Sequence, residues 1–223
     1  MQYKSFKNFK KIFETYGNLL GKSLLVLDID NTIFKTPTDI GSDQWFDWQL
    51  SILGKNKDSS DSFQNILKIY NNIHKDIELL PCEEDIPSII KKFKNNGFNI
   101  ILLTARNNET FDNLRKNLIK YELWDCLYKE VLEYQFDNCT INHNQKGCYK
   151  DGLIMAAGLN KASLLKQYLN KQDIIYDNII FVDDKLSNIS SMSILEYVNL
   201  ILYTNQHSII NNFKIKMQKM SLK

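Results

Sequence analysis

LLVLDIDNT, residues 24–32, is the stretch that decides the fold, because it is an apolar run that ends in two acids. An apolar run of this length bounded by acids is typical of a buried parallel strand, which carries Asp28 and Asp30 to the edge of a sheet. Two carboxylates two residues apart point to the same side of an extended chain. Leaving them unpaired in a buried cleft is costly, and a divalent cation between them removes that cost. The stretch therefore predicts a strand that ends at a metal-dependent site.

Two more apolar runs end in polar residues further along the chain. Residues 99–103 (NIILL) lead into the triplet TAR at 104–106, and residues 178–182 (NIIFV) lead into the acid pair at 183–184. Lys161 lies between these motifs, at the start of a helical pattern. Strands that alternate with helices predict a parallel sheet covered on both faces, and ligands bind outside the carboxyl ends of such strands. The motifs are therefore expected to meet at one edge of the sheet.

The order strand–DxDxT, strand–TxR, helix-borne lysine and strand–DD resembles the haloacid dehalogenase (HAD) superfamily in all four of its motif positions. The motifs span residues 24–188, and the sequence around them is similar to an uncharacterised bacterial branch of the superfamily. A lone DxD pair is a weak signal, whereas four motifs in this order are specific. The resemblance implies an α/β fold with a Rossmann-like parallel sheet, helices on both faces and a small helical cap inserted after the first strand.

Two stretches do not fit the alternation of strands and helices. Residues 33–81 place apolar and aromatic residues at helical spacing, and the resemblance implies a cap at this point that closes over the site. Residues 127–156 are irregular and β-rich, with a predicted turn at 142–147. We therefore expect a core of residues 1–32 and 82–223 that includes the β-rich insertion, and a cap of residues 33–81. The alternative that both stretches are extensions of the core and a surface loop stays open.

The resemblance gives the two acids of the first motif different roles. Asp28 is the expected nucleophile, which forms an aspartyl-phosphate, and Asp30 is the expected general acid and base. Dehalogenases of the superfamily lack the second acid, and its transport ATPases carry a threonine there. The presence of Asp30 therefore favours phosphatase or phosphotransferase chemistry.

The predicted catalytic set is completed by Thr104 and Lys161. The predicted phosphate-binding residues are Asn31, Thr104, Ala105, Arg106 and Lys161. The Thr104 hydroxyl and the Ala105 amide would bind phosphate at the start of a helix, where the dipole favours an anion. Lys161 would neutralise phosphate charge, with Lys150 and Lys166 nearby as alternatives. Arg106 is expected either to touch the substrate or to form a structural ion pair.

The resemblance implies a Mg²⁺ site. Its predicted ligands are the side chains of Asp28, Asp183 and Asp184 and the backbone carbonyl of Asp30. Mg²⁺ prefers oxygen ligands, and it would relieve the repulsion between the carboxylates. Asp184 is expected to bind through water or to orient the catalytic lysine, and Asn188 to support the metal ligands. Taken alone, the acid pair at 183–184 would be typical of a helix N-cap.

Composition and charge limit the classes of partner. The chain has 223 residues, 43% of them hydrophobic, and a formal net charge of +2. This balance provides no general attraction to nucleic acid or to a membrane, so neither is an expected partner. The sequence leaves the oligomeric state open.

The first residues predict an amphipathic helix at about 4–17, because aromatic side chains recur there at three and four positions. No unbroken apolar stretch suggests a signal peptide or a membrane span. A cytoplasmic protein with four reduced cysteines is therefore expected. Cys139 and Cys148 flank the predicted turn, and pairing between them in an oxidising compartment stays open.

The function expected from these residues is Mg²⁺-dependent hydrolysis of a small phosphomonoester. A lid over the site supports a small substrate, because it excludes macromolecules and bulk water. Two alternatives stay open. One is a phosphatase of phosphoproteins or nucleic-acid ends, and the other is a HAD-like binding or effector protein without turnover.

Overall fold

The computed structural model describes residues 2–53, 60–130, 133–136 and 146–221. The strands in these ranges are β1 (Lys4–Phe6), β2 (Ser23–Leu27), β3 (Phe34–Lys35), β4 (Leu80–Pro81), β5 (Asn99–Thr104), β6 (Tyr134–Gln135), β7 (Cys148–Lys150), β8 (Leu153–Met155), β9 (Asn178–Asp183) and β10 (Val198–Tyr203). The α-helices are α1 (Phe9–Tyr16), α2 (Asp43–Leu53), α3 (Ser60–His74), α4 (Ile86–Asn95), α5 (Phe111–Lys120), α6 (Lys161–Asn170), α7 (Leu186–Met192) and α8 (His207–Ser221). Among the described residues, no helix is long and apolar enough to cross a lipid bilayer.

The main sheet is mostly parallel and has the strand order β1-β10-β9-β2-β5-β8-β7-β6. The pairings from β1 to β8 are parallel, whereas β7 and β6 extend the sheet with antiparallel pairings. Parallel pairing brings the carboxyl ends of the adjacent strands β9, β2 and β5 to the same edge. The predicted α/β fold with a parallel sheet is confirmed.

Strand β2 shows how the sheet buries both of its faces. Leu25 and Leu27 belong to the apolar cluster shared with α1, α4 and α5, whereas Leu24 and Val26 belong to the cluster shared with α6 and α7. All four side chains are fully buried. Because successive side chains of a strand point to opposite faces, a strand covered by helices on both sides needs apolar residues at every position. This requirement explains the unbroken apolar run that precedes Asp28.

The N-terminus differs from the predicted helix at 4–17. Residues Lys4–Phe6 form an edge strand that pairs with β10, and α1 begins only at Phe9. Asn8 caps this helix, since its side chain accepts a hydrogen bond from the backbone N–H of Lys11 at 2.9 Å. The helix prediction was wrong for residues 4–6 because a short edge strand is stabilised by its partner at the other end of the chain. The insertion consequently follows the second strand of the chain, not the first.

The insertion between β2 and α4 contains helices α2 and α3. Its two ends run side by side, because β3 and β4 pair as an antiparallel ribbon with Phe34 opposite Pro81. Both helices also share an apolar cluster with the last helix, α8. The buried members of this cluster are Trp45, Ile66, Tyr70, Phe213 and Met217. The C-terminal helix therefore packs on the insertion, whose role as a cap stays a prediction.

The stretch predicted as β-rich contains β6, β7 and β8, which pair in antiparallel order. Residues 137–145, with Cys139 and most of the predicted turn, lie outside the described residues. Cys148, in β7, is a free thiol. Among the other described residues, Cys82 and Cys126 are also free thiols.

Candidate active site

An acidic cluster lies at the carboxyl edge of the sheet. Asp28 directly follows β2, and Asp183 ends the adjacent strand β9 with Asp184 next in the chain. One carboxylate oxygen from each residue lies within 4.8 Å of the other two. All three residues are buried. The fold thus brings the acids of the first and last sequence motifs to one point.

Lys161 provides the positive charge of this cluster. Its ammonium, on the first residue of α6, donates to Asp28 Oδ1 at 2.5 Å and to Asp183 Oδ2 at 2.7 Å. Burial opposes the charge, but the two aspartates outweigh it and raise the pKa of Lys161 above its ordinary value. The alternatives lie elsewhere, since Lys166 is exposed and Lys150 pairs with an acid of the β-rich stretch. Lys161 is therefore the lysine that the fold delivers to the acids.

Neighbouring donors fix the orientation of the carboxylates. Asn188 Nδ2 donates to both oxygens of Asp183, at 3.0 and 2.9 Å, and the backbone N–H of Lys185 donates to Asp183 Oδ1 at 2.8 Å. The Thr32 hydroxyl donates to Asp28 Oδ2 at 2.9 Å. Asn188 lies where the sequence places it, beside the acids. No role was predicted for Thr32, although it is the threonine of the DxDxT motif.

Negative charge exceeds positive charge in the cluster. Burial raises the pKa of Asp28 to about 7, with Lys161 opposing the shift and the charges of Asp183 and Asp30 adding to it. Burial, Asp28 and Asp183 also raise the pKa of Asp184 well above its ordinary value. A divalent cation would neutralise this surplus charge, and three carboxylates at one point form the hard oxygen set that Mg²⁺ prefers. The residues present therefore fit the predicted metal.

Asp30 and Arg106 form a separate ion pair beside the cluster. Arg106 donates from Nε to Asp30 Oδ2 at 2.9 Å and from Nη2 to Oδ1 at 2.7 Å, a two-pronged geometry that is stronger than a single bond. Burial raises the pKa of Asp30, but the charge and hydrogen bonds of Arg106 outweigh it and lower that pKa to about 2. Arg106 Nη1 is buried and has no hydrogen-bond partner among the described residues. Of the two roles that the sequence left open for Arg106, this geometry provides the ion pair.

The other predicted phosphate-binding residues come at or just after the carboxyl ends of β2 and β5. Thr104 ends β5, next to β2, and its buried hydroxyl accepts a hydrogen bond from the backbone N–H of Arg106 at 3.2 Å. Ala105 follows it and is exposed. Asn31 has a left-handed backbone, with φ of 59°, and its side chain donates to Gln44 of α2 at 3.4 Å. Asn31 therefore contacts the insertion in this structure.

One family profile matches residues 5–206, which is most of the chain, and the family is described as a protein of unknown function (DUF2608). The chain belongs to the DUF2608 family. None of the curated proteins matches its sequence.

The solved structures that are similar to this DUF2608 protein include the following three. A candidate phosphatase from Clostridium difficile has a TM-score of 0.51 at 11% identity, over 86% of this chain and 99% of its own. A haloacid dehalogenase-like hydrolase from Streptococcus pneumoniae has a TM-score of 0.48 at 11% identity, over 84% and 97%. A candidate beta-phosphoglucomutase from Thermotoga maritima has a TM-score of 0.45 at 10% identity, over 86% and 98%. Identities this low concern the fold alone, and the predicted α/β fold is the one that the Clostridium difficile protein shares.

Two cavities of this DUF2608 protein are lined by residues that follow the carboxyl ends of the strands. The smaller, of about 330 Å³, is lined mainly by polar and charged side chains, including Asp184, Lys185 and Asp47. The larger, of about 870 Å³, is bounded by α2 and α3 on one side and by Asp30 and Arg106 on the other. The smaller cavity therefore reaches Asp184 and the larger one reaches Asp30, and the two cavities differ in chemistry.

Lys185 joins the acidic cluster to the insertion. Its ammonium pairs with Asp43 at 2.8 Å and with Asp47 at 2.9 Å, both on α2. Burial opposes the charge, but these two acids raise the pKa of Lys185 above its ordinary value. Because Lys185 directly follows Asp184, the pairs tie α2 to the loop that carries the acids. The sequence alone does not indicate this link, because Lys185 is far from Asp43 and Asp47 in the chain.

Proposed function

We propose that this protein is a Mg²⁺-dependent phosphohydrolase that acts on a small phosphomonoester through an aspartyl-phosphate intermediate. The observation that carries the proposal is the convergence of Asp28, Asp183 and Asp184 within 4.8 Å, with Lys161 bonded to two of them. A nucleophile, a set of metal-binding acids and a fixed cation are the parts that phosphoryl transfer needs. The candidate phosphatase that shares the fold supports the same reaction class.

In the first step, a carboxylate oxygen of Asp28 forms a bond to phosphorus while the bond from phosphorus to the leaving oxygen breaks. The leaving oxygen takes a proton from Asp30, which must first take up that proton from water because its bond to Arg106 favours the ionised form. Hydrogen bonds from Thr32 and Lys161 hold the Asp28 carboxylate in a fixed orientation for this attack. Such positioning supplies much of the rate in phosphoryl transfer.

In the second step, a water oxygen forms a bond to phosphorus, and the bond from phosphorus to Asp28 breaks. Asp30 takes the proton of that water, which restores its acid form and releases inorganic phosphate. Arg106 holds the ionised form of Asp30, which is the form that removes this proton. One residue thus serves as acid and then as base.

Asp28, Asp183 and Asp184 would hold the Mg²⁺. When bound, the ion supplies positive charge that offsets the carboxylates and polarises the phosphoryl group. The side chain of Asp30 is occupied by Arg106, so its expected contribution is the backbone carbonyl. Lys161 adds a second positive charge, and Thr104 offers its hydroxyl at the end of β5.

The cavities favour a small substrate over a macromolecule. Helices α2 and α3 bound the larger cavity, and its volume of about 870 Å³ lies in the range of small-molecule sites. The helices are held by the Lys185 ion pairs and by the cluster with α8. A phosphoprotein or a nucleic-acid end would need this cover to move aside.

Hydrolysis of a panel of sugar, alkyl, aryl and nucleoside phosphomonoesters, with and without Mg²⁺, tests the proposal. The full chain is expected to release phosphate only with the metal, and D28N is expected to release none. Asp112 is an exposed acid on α5, so D112N is the matched control and should behave as the unmodified protein. Absence of turnover across the panel, or full activity of D28N, would overturn the proposal.

A further inference from the structure

The larger cavity has an apolar wall. Its residues are Phe46, Leu50, Phe63, Leu67 and Tyr70. On each helix they are spaced three or four positions apart, which places them on one face. The tyrosine is buried and the other four are half-buried, so part of their apolar surface faces the cavity. Covering such surface with an apolar group is favourable, because it removes the surface from water.

The opposite wall belongs to the catalytic edge of the sheet. It contains Asp30, Arg106 and Ala105, which follow β2 and β5. Arg106 Nη1 is a buried donor without a partner among the described residues, so an anionic oxygen that reached it would provide the missing hydrogen bond. A phosphate bound at this wall directs its ester group away from the sheet. The apolar wall lies on the other side of the same cavity.

Two polar side chains of this cavity, Asn71 and Glu109, already have partners within the protein. Asn71 Nδ2 donates to Glu109 Oε2 at 3.3 Å, and the same Glu109 oxygen lies 4.0 Å from the ammonium of Lys75. These contacts use groups that would otherwise bind a hydroxyl-rich substrate. The apolar wall is therefore the part of the cavity that gains most from a ligand.

The smaller cavity is more polar than the larger one, and this difference indicates which of the two receives the leaving group. Its walls contain Asp43, Asp47, Lys185 and Lys214, and only Leu186 and Ile210 provide aliphatic side chains. An apolar group placed there would displace water from charged residues, which is unfavourable. A leaving group next to Asp30 therefore extends into the larger cavity.

We infer that the substrate is a phosphomonoester with an extended apolar ester group, and that the apolar wall of α2 and α3 selects it. The inference rests on the proposed function and deepens it, because it names the chemistry of the leaving group. The phosphate lies at Asp28 and Arg106, and the ester oxygen lies at Asp30. The ester group runs along Phe46, Leu50 and their neighbours on α3.

A series of unbranched primary alkyl phosphates tests this inference, because the leaving oxygen keeps the same acidity while the chain lengthens. Each methylene that leaves water should raise kcat/KM by about fourfold until the cavity is filled. A terminal hydroxyl on the longest chain should remove most of that gain. The matching alkylphosphonates, which have no ester bond to break, should bind with the same dependence on chain length in calorimetry.

Two variants on one helix provide the matched comparison. L67Q places an amide on the apolar wall, whereas I69Q places it at a position on α3 that is 48% exposed and outside the cavity. L67Q should flatten the dependence on chain length, whereas I69Q should leave ethyl phosphate turnover within about twofold of the unmodified protein. I69Q should keep the full dependence. L50N, on the other helix of the wall, serves if L67Q does not fold.

The possible outcomes distinguish failure of the inference from failure of the proposed function. Turnover that does not change with chain length, or equal effects of L67Q and I69Q, would overturn the inference and leave the proposed function standing. Absence of turnover of every phosphomonoester would overturn the proposed function and the inference with it. A steep dependence that L67Q alone removes supports both.

Discussion

Replacing Asp184 by asparagine should have opposite effects on stability without and with Mg²⁺. Its carboxylate lies within 4.8 Å of both Asp28 and Asp183. At an effective dielectric constant of about 20, two like charges at this distance repel by about 3 kcal/mol. Burial and the two neighbours raise the pKa of Asp184, so its ionised form destabilises the fold at neutral pH. D184N removes this repulsion and the cost of burying the charge, so it should stabilise the metal-free protein by about 1–3 kcal/mol.

In saturating Mg²⁺ the unmodified protein should become more stable than D184N, the reverse of their order without metal. Metal at about a hundredfold excess over its dissociation constant stabilises the folded state by about 2.7 kcal/mol. For a chain of this size, that corresponds to a rise in Tm of roughly 5–10 °C. D184N loses one of three carboxylate ligands, so its rise in Tm should be much smaller.

Thermal and urea unfolding of the full chain, in chelator and in saturating Mg²⁺, measure both effects. D112N, which removes an exposed acid from α5, is the control and should follow the unmodified protein in both conditions. Equal stabilisation of D184N and the unmodified protein by Mg²⁺ would refute the assignment of Asp184 to the metal site. A loss of stability of D184N in chelator would refute the repulsion argument.

Three further predictions concern charges around the site. R106Q leaves the half-buried Asp30 unpaired and should lower the free energy of unfolding by about 2–3 kcal/mol in urea titrations. D30N in the R106Q background should restore part of that loss. Burial and the charge of Arg106 lower the pKa of His74 to about 4, below the ordinary 6.5. The fold therefore holds His74 neutral, and the free energy of unfolding falls as pH falls from 6.5 to 4. H74Q should therefore lose about 2 kcal/mol less than the unmodified protein between pH 7 and pH 5, and an equal loss would contradict this. K185M removes both ion pairs to α2 and should speed amide hydrogen exchange in that helix while β2 stays protected; unchanged exchange in α2 would show that the pairs do not hold it.

The acidic edge of the sheet was predictable because strand ends carry their own signal. Asp28, Thr104 and Asp183 each follow an apolar run, and parallel pairing of β9, β2 and β5 leaves such positions at one edge. Lys161 was predictable from the helical pattern that it opens. Local sequence sufficed here because burial on both faces dictates the composition of each strand.

Features that depend on distant partners were not predictable in the same way. The spaced aromatic residues near the N-terminus suit a helix, but Lys4–Phe6 pairs with β10 from the far end of the chain. The bond between Arg106 and Asp30 joins two motifs, and the spacing of either motif alone allows other partners. Trp45 packs in the cluster with α8, whereas its neighbour Phe46 lines the larger cavity. Helical periodicity alone does not decide which face meets the core and which meets a cavity.

Phosphorylation of Asp28 is the event on which the account depends. Acid quench during turnover of a phosphomonoester, followed by peptide mapping, locates any phosphoryl group attached to the protein. One phosphoryl group is expected on Asp28. The phosphorylated fraction should be larger in D30N, because the second step then lacks its base. Steady turnover with the phosphoryl group on another residue, or with none on the protein, would contradict the account.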